Sequence, residues 1–269
     1  MRKVRLLAGI AIALIIAGTG AILFPTVSNT IGTQIANSEV EQFETALDNI
    51  IQDDITAEEA KEQGRVDDDG YLIERSEDGS VQRISSVPVL FKLDLDKLYK
   101  DSVSYNENLK KNQDKLLTND YSYANPSINL SDYGIHTGIY GYISAPSIGM
   151  KLPIYLGAND SNMSYGAAHL TFTSLPIGGK YSNCVLAGHT GYIGRIFFDN
   201  IRNLNIGNEI EITNFWETMT YKVVDTRIFK PNQAQAIFIN SNRDILTLMT
   251  CVSNGSGGFN RYYVVCERK

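Results

Sequence analysis

Cysteine and histidine are both scarce in this chain of 269 residues, which contains three of each. Three cysteines cannot supply the paired framework that holds small exported domains together, so disulfides do not organise the fold and at least one thiol stays unpaired. No two of these cysteines and histidines show the sequence spacing of zinc ligands. We therefore expect neither a metal site nor a cofactor.

Basic residues are also few, with 24 lysines and arginines against 30 acidic residues and a formal charge of −6. Three of the basic residues, Arg2, Lys3 and Arg5, cluster at the N-terminus. The rest of the chain contains the other 21 basic residues and all 30 acidic residues, so it carries a formal charge of −9. Proteins that bind nucleic acid present a basic stripe, and the sequence shows none, which excludes nucleic acid as a partner.

The sequence contains one long hydrophobic run, the nineteen uncharged residues from Leu6 to Phe24, which end at Pro25. As a helix this run spans about 28 Å, close to the hydrocarbon thickness of a bilayer. The basic residues before it should stay in the cytoplasm, so residues 1–25 predict a single-pass anchor in the cell membrane, with the rest of the chain outside. A cleaved signal peptide is the alternative, because the small residues from Ala17 to Ala21 suit a peptidase.

Residues 26–118 predict a membrane-proximal helical region. Apolar residues at mostly three- and four-residue spacing favour an amphipathic helix over residues 29–55, which packs on its own domain or pairs with another helix. A second helix is predicted over residues 94–118. Between them, Asp78-Gly79 lies between two short apolar strands and indicates a small acidic hairpin.

The acidic run Asp67-Asp68-Asp69-Gly70 resembles part of a calcium-binding loop. When Gly70 is aligned with the glycine of that loop, Arg65 takes the first ligand position and Ser76 takes the place of the bidentate glutamate. The template therefore fails, and the run is predicted to be a solvated turn.

From residue 139 onward the sequence changes to short apolar runs about every ten residues, separated by Gly, Pro and Asn. This rhythm is typical of a β-barrel or a β-sandwich of about 130 residues. A short helix over residues 197–204 fits between two of the strands. The fold is therefore predicted to be mainly β over residues 139–269.

Among the cysteines, Cys251 is the candidate for chemistry. Cys184 and Cys266 lie inside apolar strands and are interpreted as small buried hydrophobic residues. Cys251 ends a strand, and a loop rich in Gly, Ser and Asn leads from it to Arg261 at the start of the next strand. An antiparallel hairpin would make Cys251 and Arg261 neighbours, and a nearby cation favours the nucleophilic thiolate.

Three histidines compete as partners of this thiol. His189 heads a Thr-Gly turn at a strand end, from which it can project towards substrate and exchange a proton with a leaving group. His136 lies in the loop before the barrel, and His169 is interpreted as structural. The spacing of the residues alone leaves the choice of His189 open.

The run Thr247-Leu248-Met249-Thr250-Cys251 resembles the TLxTC signature of sortases, the membrane-anchored cysteine transpeptidases of Gram-positive bacteria. Gly188-His189-Thr190-Gly191 resembles the catalytic histidine turn of that family, and Arg261 matches its catalytic arginine. Within the family, residues 143–149, 152–155 and 173–179 are similar to the pilin-polymerising class C branch. The likeness extends over about residues 95–269.

This resemblance implies an eight-stranded sortase barrel preceded by helices, with Cys251, His189 and Arg261 catalytic and Thr250 in contact with substrate. It implies cleavage of an LPxTG-like sorting signal between Thr and Gly and transfer of the acyl group to an amine. The substrates would be surface or pilin proteins that carry the signal, and the acceptor would be a pilin lysine or the peptidoglycan cross-bridge.

Many class C enzymes also have a lid with an Asp-Pro-aromatic motif over the active site. The corresponding loop here, residues 119–138, offers Asp120 and Tyr121 without the proline, and these two residues are the lid candidates.

Other classes of protein remain as alternatives. An exported cysteine peptidase or an L,D-transpeptidase would use the same nucleophile, but those families place the cysteine at a helix start or in a Ser-His-Gly-Cys run, and this chain has neither pattern. A β-domain that only binds surface ligands would leave Cys251 unreactive.

Overall fold

The structure is a computed structural model that describes residues 2–48, 57–76, 79–85, 88–89, 93–116, 123–194, 197–231, 233, 237–239 and 241–269. Its α-helices are α1 (Arg2–Asp48), α2 (Ala57–Glu62), α3 (Leu95–Leu116) and α4 (Asp160–Tyr165). Its strands are β1 (Ile73–Arg75), β2 (Val81–Arg83), β3 (Ile139–Ala145), β4 (Met150–Leu156), β5 (Ala167–His169), β6 (Ser182–Ala187), β7 (Glu209–Asn214), β8 (Thr218–Phe229), β9 (Asp244–Ser253) and β10 (Phe259–Arg268). Short 3-10 helices cover Leu130–Tyr133, Pro146–Ile148 and Asp199–Asn203.

Eight of these strands close into a barrel in the order β10-β8-β7-β3-β4-β5-β6-β9. The pairs β4–β5 and β6–β9 are parallel, and the other six pairs in the barrel are antiparallel. The predicted eight-stranded barrel is therefore confirmed. Strand β5 has only three residues, too few to show an alternating pattern in the sequence.

The core of the barrel comes from side chains that alternate along its strands. On β6 and β9, for example, Leu186, Leu246 and Leu248 belong to the interior cluster and are fully buried. Alternation places the residues between them on the outer face of the same strands. The strands around the site thus have one face buried in the core and one face free for other contacts.

Helix α1 runs without a break from Arg2 to Asp48 and includes Pro25. A proline removes one backbone donor, but intact flanking turns can carry a helix through it, and spanning helices tolerate it more readily than others. From Gly9 onward the helix contains an 18-residue window with a mean hydropathy of 2.2, none of it buried against protein. This part is long and apolar enough to cross a membrane.

The C-terminal half of α1 packs on the barrel, which is one of the two alternatives given for the predicted helix over residues 29–55; residues 49–55 lie outside the described part of the chain. Ala36, Val40 and Phe43 are buried. The Lys151 ammonium on β4 also contacts the Glu44 carboxylate at 2.9 Å. One continuous helix therefore joins the apolar segment to the barrel.

Helix α3 packs against the barrel and agrees with the predicted helix over residues 94–118 as far as residue 116, beyond which residues 117 and 118 lie outside the described part of the chain. Its Leu98 and Leu109 are buried, and the Ser102 hydroxyl lies 2.9 Å from the Tyr140 hydroxyl of β3. Asn106 accepts a hydrogen bond from the Leu175 backbone N–H at 2.8 Å.

The two strands of the predicted acidic hairpin are present, as β1 paired with β2 through Glu74 and Gln82, whereas Asp78 lies outside the described part of the chain. The acidic run predicted to be a solvated turn folds against Arg83, whose guanidinium lies 2.5 Å from carboxylate oxygens of both Asp67 and Asp69. Acidic charge in this run is therefore balanced within the appendage itself.

Candidate active site

Three neighbouring strands, β6, β9 and β10, bring the three candidate residues to one region of the barrel. On the outer face of these strands, Ala187, Met249 and Tyr263 form a second apolar cluster with Leu170. Two positions further towards the same end of the barrel stand Cys251 on β9, Arg261 on β10 and His189 just beyond the end of β6. Because side chains alternate, these three residues continue on the outer face.

Cys251 and Arg261 are direct cross-strand partners in the β9–β10 pair. Arg261 Nη1 donates a hydrogen bond to Cys251 Sγ at 2.6 Å, so the guanidinium lies where it stabilises negative charge on sulfur. Strand β9 continues to Ser253, so the prediction that Cys251 ends its strand is wrong by two residues. Longer strands leave a shorter loop, and the predicted pairing of the two side chains is unaffected.

His189 lies two residues beyond the end of β6, which runs parallel to β9. Ala187 pairs with Met249, and the Gly188 N–H donates to the Met249 carbonyl oxygen at 3.2 Å. Continuing this register places His189 beside Cys251, one strand spacing away, or about 4.8 Å between backbones. Cysteine therefore occupies the middle strand, with histidine on one side and arginine on the other.

Two contacts fix the backbone just before His189. A Cβ atom on Gly188 would lie 2.6 Å from the Phe198 ring, so only glycine lets the chain pass this close to that ring. The buried Thr250 hydroxyl donates to the Gly188 carbonyl oxygen at 2.8 Å. Thr250 thus ties β9 to the histidine segment, and its predicted contact with substrate stays a prediction.

The turn after His189 contains residues that sequence reasoning missed. The Tyr192 ring packs on the His189 ring with centroids 4.6 Å apart. The Gly191 N–H donates to Asp199 Oδ1 at 2.9 Å, and the Phe198 N–H donates to the His189 carbonyl oxygen at 3.3 Å. An aromatic residue three positions after a turn histidine is the only signal the sequence offers for this arrangement.

A cleft of about 560 Å³ opens on this face and contains all three candidate residues. Tyr123, Ala124 and Met163 form part of its wall. Among the described residues that line the cleft, Asp160 carries the only carboxylate. The predicted lid residues, Asp120 and Tyr121, lie outside the part of the chain that the structure describes.

The other two thiols are remote from this chemistry, as predicted. Cys184 and Cys266 are both buried in the interior cluster of the barrel. Burial raises the pKa of the Cys184 thiol well above its usual range and raises the pKa of Cys266 to about 12. Both thiols therefore stay protonated.

The competing histidines also occupy the places expected of them. His169 is fully buried, and its Nε2–H donates to the Ser174 carbonyl oxygen at 3.0 Å. Burial lowers the pKa of His169 to about 4, so the ring is neutral and structural. His136 is exposed in the loop before β3.

The fold and the site define the class of protein: a closed β-barrel with a cysteine, a histidine and an arginine in one cleft. Comparisons with known proteins point to the same class. The sortase domain family matches residues 143–269. Sortase C from Clostridium perfringens, solved with the C-terminal cell wall sorting motif, is 30% identical with a TM-score of 0.54, over 65% of this chain and 89% of that one. The chain belongs to the sortase family.

Two further relatives show how far the likeness extends. Sortase C1 of GBS pilus island 1 shares the fold at 19% identity, with a TM-score of 0.61 over 87% of this chain and 92% of that one. Sortase A from Bacillus anthracis is 30% identical over 115 residues, which are 43% of this chain and 53% of that protein. The chain thus spans about half the length of this curated relative.

Proposed function

We propose that the chain is a membrane-anchored cysteine transpeptidase that cleaves an LPxTG-like sorting signal between Thr and Gly and transfers the acyl group to an amine. One observation carries the proposal: Arg261 Nη1 lies 2.6 Å from Cys251 Sγ, and His189, which follows the adjacent strand, lines the same cleft. The sorting motif in the Clostridium perfringens relative supports this class of substrate.

In the first half-reaction the Cys251 thiolate attacks the carbonyl carbon of the threonine. A carbon–sulfur bond forms, and the Thr–Gly carbon–nitrogen bond breaks as His189 gives a proton to the departing glycine amine. Arg261 donates hydrogen bonds to the oxyanion while charge develops on it, an interaction often worth about 3 kcal/mol. The product is a thioester on Cys251.

In the second half-reaction an amine attacks the thioester carbon. A new carbon–nitrogen bond forms, the carbon–sulfur bond breaks, and His189 takes the proton that the amine loses. The thiolate is restored beside Arg261. Two half-reactions through an acyl-enzyme predict ping-pong kinetics.

A pilin lysine is the proposed amine acceptor, because the structural relatives are sortases C. The cross-bridge of peptidoglycan is the second candidate, since curated relatives carry the name sortase A. Both acceptors lie outside the cell membrane, where the apolar part of α1 would hold the catalytic domain.

The deciding experiment supplies a sorting peptide together with a pilin-lysine peptide and a cross-bridge peptide, and follows products by mass spectrometry. We expect an acyl-enzyme on Cys251 that resolves to the lysine-linked product. Cys251→Ala should abolish release of the glycine fragment, whereas Cys266→Ala, which removes a buried thiol, should keep turnover. Continued release by Cys251→Ala would show that another residue is the nucleophile.

A further inference from the structure

The turn that follows His189 is held by the N-terminal helix. The Gly194 N–H donates to Asn29 Oδ1 of α1 at 2.6 Å. A Cβ atom on Gly32 would lie 2.0 Å from the Gly194 carbonyl oxygen, so the helix and the turn meet backbone to backbone. This contact ties residues 191–194 to a fixed height along α1.

The tip of this turn is apolar and open to its surroundings. Tyr192 is 52% exposed and Ile193 is 55% exposed. At the same level along α1, Val27 and Ile31 are 54% and 50% exposed on the side of the helix turned away from Asn29, since residues two apart do not share a face. Exposed apolar side chains at one level of the molecule mark a site of interaction.

The position of this apolar surface along α1 indicates its partner. Asn29 lies five residues beyond Phe24, the last residue of the apolar run, which corresponds to about 7.5 Å along a continuous helix. The headgroup layer on each side of a bilayer is about 5–8 Å thick. A turn fastened at Asn29 therefore stands at the level of the headgroups, where tyrosine is enriched.

We propose that residues 191–194 form a membrane-interface contact in which Tyr192 and Ile193 enter the headgroup layer beside α1. The inference rests on the anchoring role of α1 given under the proposed function. Because the Tyr192 ring packs on His189, the lipid surface and the catalytic cleft are separated by a single turn of chain. The cleft would thus be held close to the bilayer, where it meets substrates that are themselves tethered to the membrane.

Fluorescent labels at three positions test this geometry in the full chain. Each is attached to a single introduced cysteine, Ile15→Cys, Ile193→Cys or Tyr181→Cys, in a Cys251→Ala background whose remaining thiols are buried. The protein is placed in phosphatidylcholine–phosphatidylglycerol nanodiscs that contain quenchers at either the headgroup or the acyl-chain level. Tyr181 is the matched control, because it is 52% exposed and stands at the other end of β6.

We expect acyl-chain quenchers to act on the Ile15 label and headgroup quenchers to act several-fold more on the Ile193 label than on the Tyr181 label. Equal quenching at Ile193 and Tyr181, with Ile15 still quenched, would overturn the membrane contact while α1 remains an anchor. An unquenched Ile15 label would overturn both the anchor and the contact. Because all three labelled proteins carry Cys251→Ala and so lack the proposed nucleophile, neither result tests the transpeptidase activity.

Discussion

Among single residues, Arg261 allows the effect of its positive charge to be separated from the effect of its planar guanidinium group. Lysine keeps the positive charge but loses the planar fork that can contact sulfur and a developing oxyanion together. We expect Arg261→Lys to lower kcat by roughly 100-fold or more, as loss of an oxyanion donor commonly does. Steady-state kinetics with a sorting peptide measure this loss.

The matched control is Arg243→Lys. Arg243 stands just before β9, at the end away from the site, and its guanidinium contacts Glu267 at 2.9 Å on the surface. Its substitution should leave kcat within twofold or so, since exposed ion pairs contribute little. Activity of Arg261→Lys close to that of Arg243→Lys would refute the oxyanion role.

His169 gives a prediction about pH. Its pKa in the folded chain is lowered to about 4, against an ordinary value near 6.5, so the unfolded chain binds more protons between these values. The stabilisation is complete above about pH 6.5 and is lost as the pH falls towards 4. The free energy of unfolding should therefore decrease with falling pH, by up to roughly 3 kcal/mol from this residue.

Denaturant titrations at several pH values test this dependence. His169→Gln should show a shallower loss of stability between pH 6.5 and 4 than the unsubstituted chain, whatever its absolute stability. His136→Gln should keep the full slope, because it leaves His169 in place. Identical slopes for all three proteins would contradict the assignment.

Among the secondary-structure elements, α1 contacts the turn after His189, and this contact can be tested for a role in positioning the histidine. Gly32→Ala places a methyl group against the Gly194 carbonyl oxygen and must move the turn. A displacement of about 1 Å near a catalytic group can lower kcat tenfold or more, and we expect at least that loss. The measurement is kcat for the full chain in detergent, with the pH profile of kcat as a second readout.

Gly20→Ala is the control on the same helix, because no atom lies within 4 Å of the added carbon. It should leave both kcat and the pH profile unchanged. Were Gly32→Ala to behave like Gly20→Ala, α1 would have no positioning role for His189.

At the scale of the whole molecule, the question is whether α1 remains attached after export. An uncleaved anchor predicts that a tag placed before Arg2 stays on the mature protein and that the protein resists extraction by carbonate. The intact mass of the exported chain decides between the alternatives. A mature N-terminus near Ala17–Ala21 would instead establish a cleaved signal peptide.

The local signals in the sequence were sufficient for much of this architecture. The spacing of apolar residues predicted α3 and a series of short strands from residue 139 onward, since short apolar runs and helical periodicity are properties of a few consecutive residues. The pairing of Cys251 with Arg261 also followed from local rules, because one hairpin joins the two strands. The continuation of α1 through Pro25 was not predicted, because a proline usually ends a helix. The three-residue β5 was not predicted either, because it depends on its pairing with β4 and β6.

Short stretches of the chain were enough to identify the chemical types at the site, the membrane-length apolar run and the mainly β character of residues 139–269. The parallel pairing of β6 with β9, which places His189 beside Cys251 from 62 positions away, became known only from the folded barrel. The contact of α1 with the turn after His189 likewise became known only from the folded structure. Contacts between segments so far apart depend on how the barrel closes, and no local pattern encodes that closure.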